Sequence, residues 1–152
     1  MIKILFVCHG NICRSPMAEF VLKYLSRYRD DLFISSAATS TEEIGNGVHY
    51  GTVEILRRKG VPVPSHRAVQ LKKSDYNAYD YIIGMDDWNI RNIRRITGGD
   101  PERKIYKLLD FTERGGDIAD PWFTHDFETT YNDIYEGCKG LLEVLNGRTK
   151  NT

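Results

Sequence analysis

Apolar residues run almost without a break from Ile2 to Val7, with only Lys3 polar among IKILFV. A half-exposed strand would alternate, so this run predicts a strand covered on both faces, as in a parallel sheet. After the loop that follows, Ser15-Pro16 reads as a helix start, with Ser as cap and Pro preset for the first turn. Ala18, Val21, Leu22 and Leu25 then recur at helical spacing to about Tyr28. LFISS at 32–36 predicts a second short strand. Gly45, Gly47 and Gly51 make 42–51 a loop, and Val53, Leu56 and the RRK run predict a helix that stops at Gly60. VPVPSHR is extended, because each proline turns its predecessor away from helix. YDYIIG at 79–84 predicts a third strand, 88–96 a basic helix ended by Gly98-Gly99, and 104–108 a fourth strand. A long helix from about Thr130 to Leu145 turns Tyr131, Ile134, Leu141, Leu142 and Leu145 inward.

Strands alternating with helices, without repeat, linker or low-complexity tract, predict a doubly wound α/β domain over residues 1–152 with a mostly parallel sheet. Ligands of such sheets bind at the carboxyl ends of the strands. The loop after the first strand, CHGNICRS at 8–15, therefore occupies the natural position for a site.

Composition changes this picture only by exclusion. The chain has 152 residues, 41% hydrophobic and 28% charged, which suits a globular protein with a real core. Lys+Arg and Asp+Glu both total 21, so net charge attracts neither nucleic acid nor an anionic membrane. Helical spacing spreads the arginines of NIRNIRR around a solvated face, and the tyrosines are too scattered to stack bases, so no nucleic-acid partner is expected. No apolar run approaches the roughly 20 residues of a membrane span, and MIKILFV is too short for a signal-peptide core. The expectation is a cytoplasmic protein without a membrane partner. Three cysteines, Cys8, Cys13 and Cys138, form no disulfide scaffold and lack the paired spacing of structural zinc, so neither metal nor cofactor is expected.

The chemistry is concentrated in CHGNICRS. A helix N-terminus offers unpaired N–H groups and a positive dipole end, and a loop of successive amides adds a nest of donors. Gly10 and Asn11 are residue types that tolerate left-handed backbone, and Arg14 supplies a planar fork for two phosphate oxygens. The same positive surroundings favour a thiolate at Cys8, and Ser15 can donate a hydrogen bond to its sulfur. The parts are those of covalent phosphoryl transfer.

VCHGNICRSPMAE resembles the signature of the low-molecular-weight protein tyrosine phosphatases. The likeness continues through SSAATS at 35–40, SHRA at 65–68, YDYIIGMD at 79–86 and DPWF at 120–123. The resemblance implies a four-stranded parallel twisted sheet flanked by helices, with a phosphate-binding loop after strand 1. It implies metal-independent hydrolysis of phosphate monoesters through a phosphocysteine. Phosphate would be bound by His9, Gly10, Asn11, Ile12, Cys13, Arg14 and Ser15, with Cys8 as nucleophile and Arg14 as clamp. Asp120 would be general acid and then general base, and Trp122 and Phe123 a wall for a phenyl ring. Ser36 and His66, with Asn11, match positions that hold the cradle in shape, and Asp86 either faces the site or starts a helix. Cys13 would trap an oxidised Cys8 as a reversible disulfide, whereas Cys138 reads as core. One departure is Glu42, on the loop opposite DPWF, where many relatives carry an aromatic residue; Tyr50 is a candidate replacement.

Rival readings are an arsenate reductase and a protein-arginine phosphatase on the same fold. The first relays through further cysteines near 82–90, where IIGMDDWNI has none. Relatives with the second preference tend to carry Thr where this chain has Ile12. A phosphocarrier would not need Arg14 with Asp120, and a pure binding module would not need the full set. The expected substrate is a phosphotyrosine protein or a small aryl phosphate, with inorganic phosphate as product.

Overall fold

Side chains of β1 (Ile2–Cys8) alternate between two cores. Ile4, Phe6 and Cys8 join one apolar cluster, Leu5 and Val7 the other, which is why the run is apolar throughout. The computed structural model describes residues 1–150, with side chains through 147. Its sheet has the order β2-β1-β3-β4, all parallel, with β2 at Leu32–Ala38, β3 at Tyr81–Gly84 and β4 at Ile105–Lys107. The fold is thus the expected α/β domain with a four-stranded parallel sheet between helices.

On the Cys8 face lie α1 (Arg14–Leu25), α2 (Tyr50–Arg58) and α6 (Phe127–Lys150). They bury Met17, Phe20, Leu22, Ile55, Leu56, Ile134 and Leu141 there. On the other face α3 (Asp75–Ala78) and α4 (Asp87–Thr97) cover Leu5, Val7 and Ile82 with Tyr76 and Ile93. The chain leaves β1 for β2 on one side, then returns past β1 to β3 on the other. The resulting switch point, between β1 and β3, opens a crevice at their carboxyl ends. Register places Val7 beside Gly84 and Cys8 beside Ala38, so the loops after β1 and β3 meet there.

Several local expectations shift. Ser15 does not cap α1: the cap is Cys13, without a side-chain bond, and Ser15 lies inside the first turn. The helix ends at Leu25 rather than Tyr28, with Ser26 as its C-cap and the Ser26 hydroxyl donating back to the Leu22 carbonyl at 2.7 Å. Strand β3 starts at Tyr81 rather than Tyr79; Asp80 instead accepts the Lys3 N–H at 2.8 Å. Helix α6 extends beyond the expected 130–145 in both directions. Its Gly137 and Gly140 admit the short 3-10 turn Leu108–Phe111, since a Cβ at 140 would land on the Phe111 carbonyl. Cys138 is wholly buried in the core as expected, and burial pushes its thiol up. No helix among the described residues is long and apolar enough to cross a membrane.

Candidate active site

Cys8, only 3% exposed, ends β1 with its sulfur surrounded by donors. The backbone N–H groups of Asn11 and Ser15 point at Sγ at 3.3 and 3.4 Å, and the Ser15 hydroxyl lies at 3.0 Å. The loop curls because Asn11 adopts φ 58°, a left-handed conformation that a short polar side chain tolerates. Gly10, also expected there, has no positive φ. A Cβ there would make only ordinary contact, 3.4 Å from Cγ of Glu43, so neither backbone nor space requires glycine at this position.

The Asn11 side chain, fully buried, is the hub. Its Nδ2 donates to Ser15 Oγ at 2.7 Å and Ser36 Oγ at 2.9 Å. Its Oδ1 accepts from the Val69 N–H at 3.1 Å and faces His66 Nε2 at 3.1 Å. The Val69 amide is a donor only, which fixes the Asn11 amide orientation and requires His66 to carry its proton on Nε2. Burial holds the His66 pKa below its ordinary value, despite Glu19 nearby. Since Ser15 Oγ accepts from Asn11, its own hydrogen is free for the Cys8 sulfur. Ser36 in turn donates to Glu19 Oε1 at 2.6 Å, and Lys23 Nζ holds Glu19 Oε2 at 2.6 Å. Two arms of hydrogen bonds thus run outward from the Asn11 amide, one through Ser36 to a buried carboxylate and one through Ser15 to the thiol.

Arg14 is 3% exposed. Its Nη1 donates to Asp86 Oδ2 at 2.7 Å and to the Ile118 carbonyl at 2.8 Å, which uses both hydrogens of that nitrogen. The edge left for a ligand is Nε with Nη2, and Nη2 lies 3.5 Å from Asp120 Oδ2. Burial pulls the guanidinium pKa down, but Cys8 and the Asp86 contact outweigh it, and the net shift is upward. Asp86 has both roles weighed for it, since its other oxygen caps α4 by accepting the Asn89 N–H at 2.7 Å.

Asp120 caps α5 (Pro121–Thr124), accepting the Trp122 N–H at 3.0 Å through Oδ1. Pro121, at the first helical position, fixes the turn that carries the two aromatics. Trp122 and Phe123 are 53% and 79% exposed, so they are walls rather than core. With Cys8, Arg14, Ile12 and Asp120 they enclose a cleft of about 150 Å³. The opposite rim is His9 and Glu42, joined Nε2 to Oε2 at 3.1 Å. Tyr50 does not take the missing aromatic position; it stacks on His49, ring centroids 4.5 Å apart, outside the cleft. Cys13 also lines the cleft; burial first, then the charges of Cys8 and Asp120, push its thiol up to about 12. Among the described residues no three His, Cys, Asp or Glu side chains gather as metal ligands.

Sequence reasoning missed Glu19 and its partner Lys23. The available signal was a carboxylate between Ala18 and Phe20-Val21 in an apolar helical stretch, with Lys23 four residues on, where a lone charge demands partners. The expected residues Cys8 through Ser15, Ser36, His66, Asp120, Trp122 and Phe123 do converge.

A thiol met by two amides beside a buried guanidinium, at the switch point of a parallel sheet, defines an α/β protein with hydrogen-bond donors gathered around one cysteine. The model of the family described as low molecular weight phosphotyrosine protein phosphatase matches residues 3–151, and the chain belongs to that family of phosphatases. It is 41% identical to the low molecular weight protein-tyrosine-phosphatase YfkJ of Bacillus subtilis, over 95% of this chain and 96% of the relative. The crystal structure of YfkJ superposes with a TM-score of 0.94 at 39% identity, covering 97% of this chain and 96% of the other. SP-PTP of Streptococcus pyogenes gives 0.86 at 43% identity, covering 95% and 93%. The drosophila arginine phosphatase DARP gives 0.84 at 28% identity, covering 95% and 98%.

Proposed function

We propose that this phosphatase hydrolyses phosphotyrosine and other aryl phosphate monoesters through a phosphocysteine at Cys8, without a metal. The observation that carries the reading is the Cys8 sulfur, met by two N–H groups and a hydroxyl at the floor of a cleft shared with Arg14 and Asp120. In the first step the thiolate attacks phosphorus, the S–P bond forms and the P–O bond breaks. Asp120 gives its proton to the departing phenoxide. Phosphate oxygens lie against the amides of residues 9–15 and the Nε–Nη2 edge of Arg14. In the second step Asp120, now a carboxylate, takes a proton from water, whose oxygen displaces the sulfur. The Ser15 hydroxyl and the two amides stabilise the thiolate as it leaves. Inorganic phosphate is released.

Ile12 supports an aryl group over a guanidino one, because it gives the cleft an apolar side with Trp122 and Phe123. The test is single-turnover kinetics on tyrosine- and arginine-phosphorylated peptides with wild type and Cys8→Ser. Fast release from phosphotyrosine alone, lost in the variant, supports the reading; preference for phosphoarginine overturns the substrate.

The same reading places the enzyme in the cytoplasm, where free thiols stay reduced, and makes it redox-sensitive. Peroxide oxidises Cys8 to a sulfenic acid, and Cys13 then attacks that sulfur: the S–S bond forms, the S–O bond breaks, and the hydroxyl leaves with the Cys13 proton as water. Peroxide-inactivated Cys13→Ser should recover less activity with thiol than wild type; equal recovery refutes the disulfide.

A further inference from the structure

Trp122 also lines another cleft, of about 330 Å³, together with His49, Tyr50, Pro121, His125 and Phe127. Its floor is preorganised. His49 Nδ1 accepts the Gly51 N–H at 3.0 Å and so caps α2, which fixes the ring. That ring is stacked on Tyr50 and on Phe127, centroids 4.5 and 5.3 Å away, and meets Trp122 edge-on at 5.8 Å. Gly51 is required because any Cβ there would overlap the Phe127 ring. Yet the tops of the rings are open, with Tyr50 78% and Trp122 53% exposed. Beyond Tyr50 the groove continues along α2, past Val53 and Glu54, to Arg57 and Arg58. Neither arginine forms an ion pair among the described residues.

We infer that this aromatic groove is a docking site for the polypeptide beside phosphotyrosine in a protein substrate, and that it selects an aromatic side chain two residues away. The inference rests on the protein-phosphotyrosine reading above. Continuity identifies the occupant: one indole is the wall of both clefts, so whatever fills the groove while the cleft is occupied is the next stretch of the same chain. Residues i and i+2 of an extended chain point to the same side about 7 Å apart, so the side chain that reaches a cleft adjoining that of the phosphotyrosine is two residues away. From Tyr50 to Arg57 the helix rises about 10 Å, roughly three more extended residues. An acidic residue there meets two arginines against the single carboxylate of Glu54. The fixed rings lose little freedom on binding, so the contact favours affinity rather than the chemical step.

The test compares phosphotyrosyl peptides carrying Phe or Ala two residues before or after phosphotyrosine, with p-nitrophenyl phosphate as a substrate that has no flank. In wild type, Phe at one of the two positions should raise kcat/KM about fivefold, through KM. Tyr50→Ala and His125→Asn should each lower that ratio, Tyr50→Ala to near unity, while p-nitrophenyl phosphate turnover stays unchanged; Tyr50→Phe should retain the ratio. His125 takes φ 59°, which Asn tolerates, and Tyr50 is exposed, so both variants keep the fold. A ratio of one at both positions in wild type, or an undiminished ratio in Tyr50→Ala, overturns the groove but leaves the phosphotyrosine reading standing. Turnover of p-nitrophenyl phosphate with none of any phosphopeptide overturns both.

Discussion

Asn11 makes four hydrogen bonds from a fully buried side chain, two as donor to Ser15 and Ser36 and two as acceptor from Val69 and His66. Replacing it with Ala removes all four and forces Ala into φ 58°. At about 1 kcal/mol net per bond, the lost contacts cost roughly 4 kcal/mol. The left-handed backbone adds about 1 kcal/mol for Ala, but nothing for Gly. Asn11→Ala should therefore be destabilised by about 5 kcal/mol and Asn11→Gly by about 4, a large share of the 5–15 kcal/mol typical of a domain. Urea unfolding read by circular dichroism measures both. Turnover of p-nitrophenyl phosphate by the folded fraction should fall by about two orders of magnitude in each variant, because the Ser15 hydroxyl loses the partner that aims it at Cys8. Two results would refute the reasoning: Ala more stable than Gly at this position, or both variants within about 1 kcal/mol of wild type. The first would mean that the backbone relaxes out of the left-handed region. The second would mean that water or a neighbour replaces the amide.

Asp120→Asn, which retains an acceptor for the Trp122 N–H, should slow alkyl phosphates far more than p-nitrophenyl phosphate, whose phenoxide leaves without a proton; equal slowing across a leaving-group series removes Asp120 as the acid. Gly140→Ala should destabilise by about 1–3 kcal/mol in urea despite better helix propensity, because its Cβ meets the Phe111 backbone carbonyl; a stabilised variant would show that the turn moves away. The Cys13 thiol is held up to about 12 against 9.0 unperturbed, so the unfolded chain loses this proton first as pH rises. Stability from this group is intact below pH 9 and lost above it, by about 1.4 kcal/mol at pH 10. Comparing urea midpoints at pH 8 and 10 for wild type and Cys13→Ser checks this, and equal alkaline losses would contradict it.

Local pattern carried the reading of β1 and its loop. An unbroken apolar run names a doubly covered strand, and a cysteine, an arginine and a serine at fixed offsets before Pro16 have few other uses. What pattern does not carry is which distant groups meet. Asp86 stands 72 positions from Arg14, and only the crossing from β2 back past β1 brings them to 2.7 Å. Glu19 is similar, since its partner Ser36 sits on β2. Ser15 misled for a different reason: its residue type suits a helix cap, but its hydroxyl is engaged by Asn11 and Cys8, and tertiary demand outweighed propensity. Tyr50 failed as a wall because the cap at His49 turns the chain into α2 before it reaches the cleft.

Helix α1 opens with the phosphate cradle and then stays buried on every side as far as Leu22. Its first amides are therefore anchored to the most protected part of the molecule, and the cradle has no route to fray by itself. Amide exchange from Arg14 to Leu22 should report opening of the whole domain, at one common free energy. Heat should abolish turnover and the cooperative melt at the same temperature, leaving no window in which a folded chain has lost its cradle.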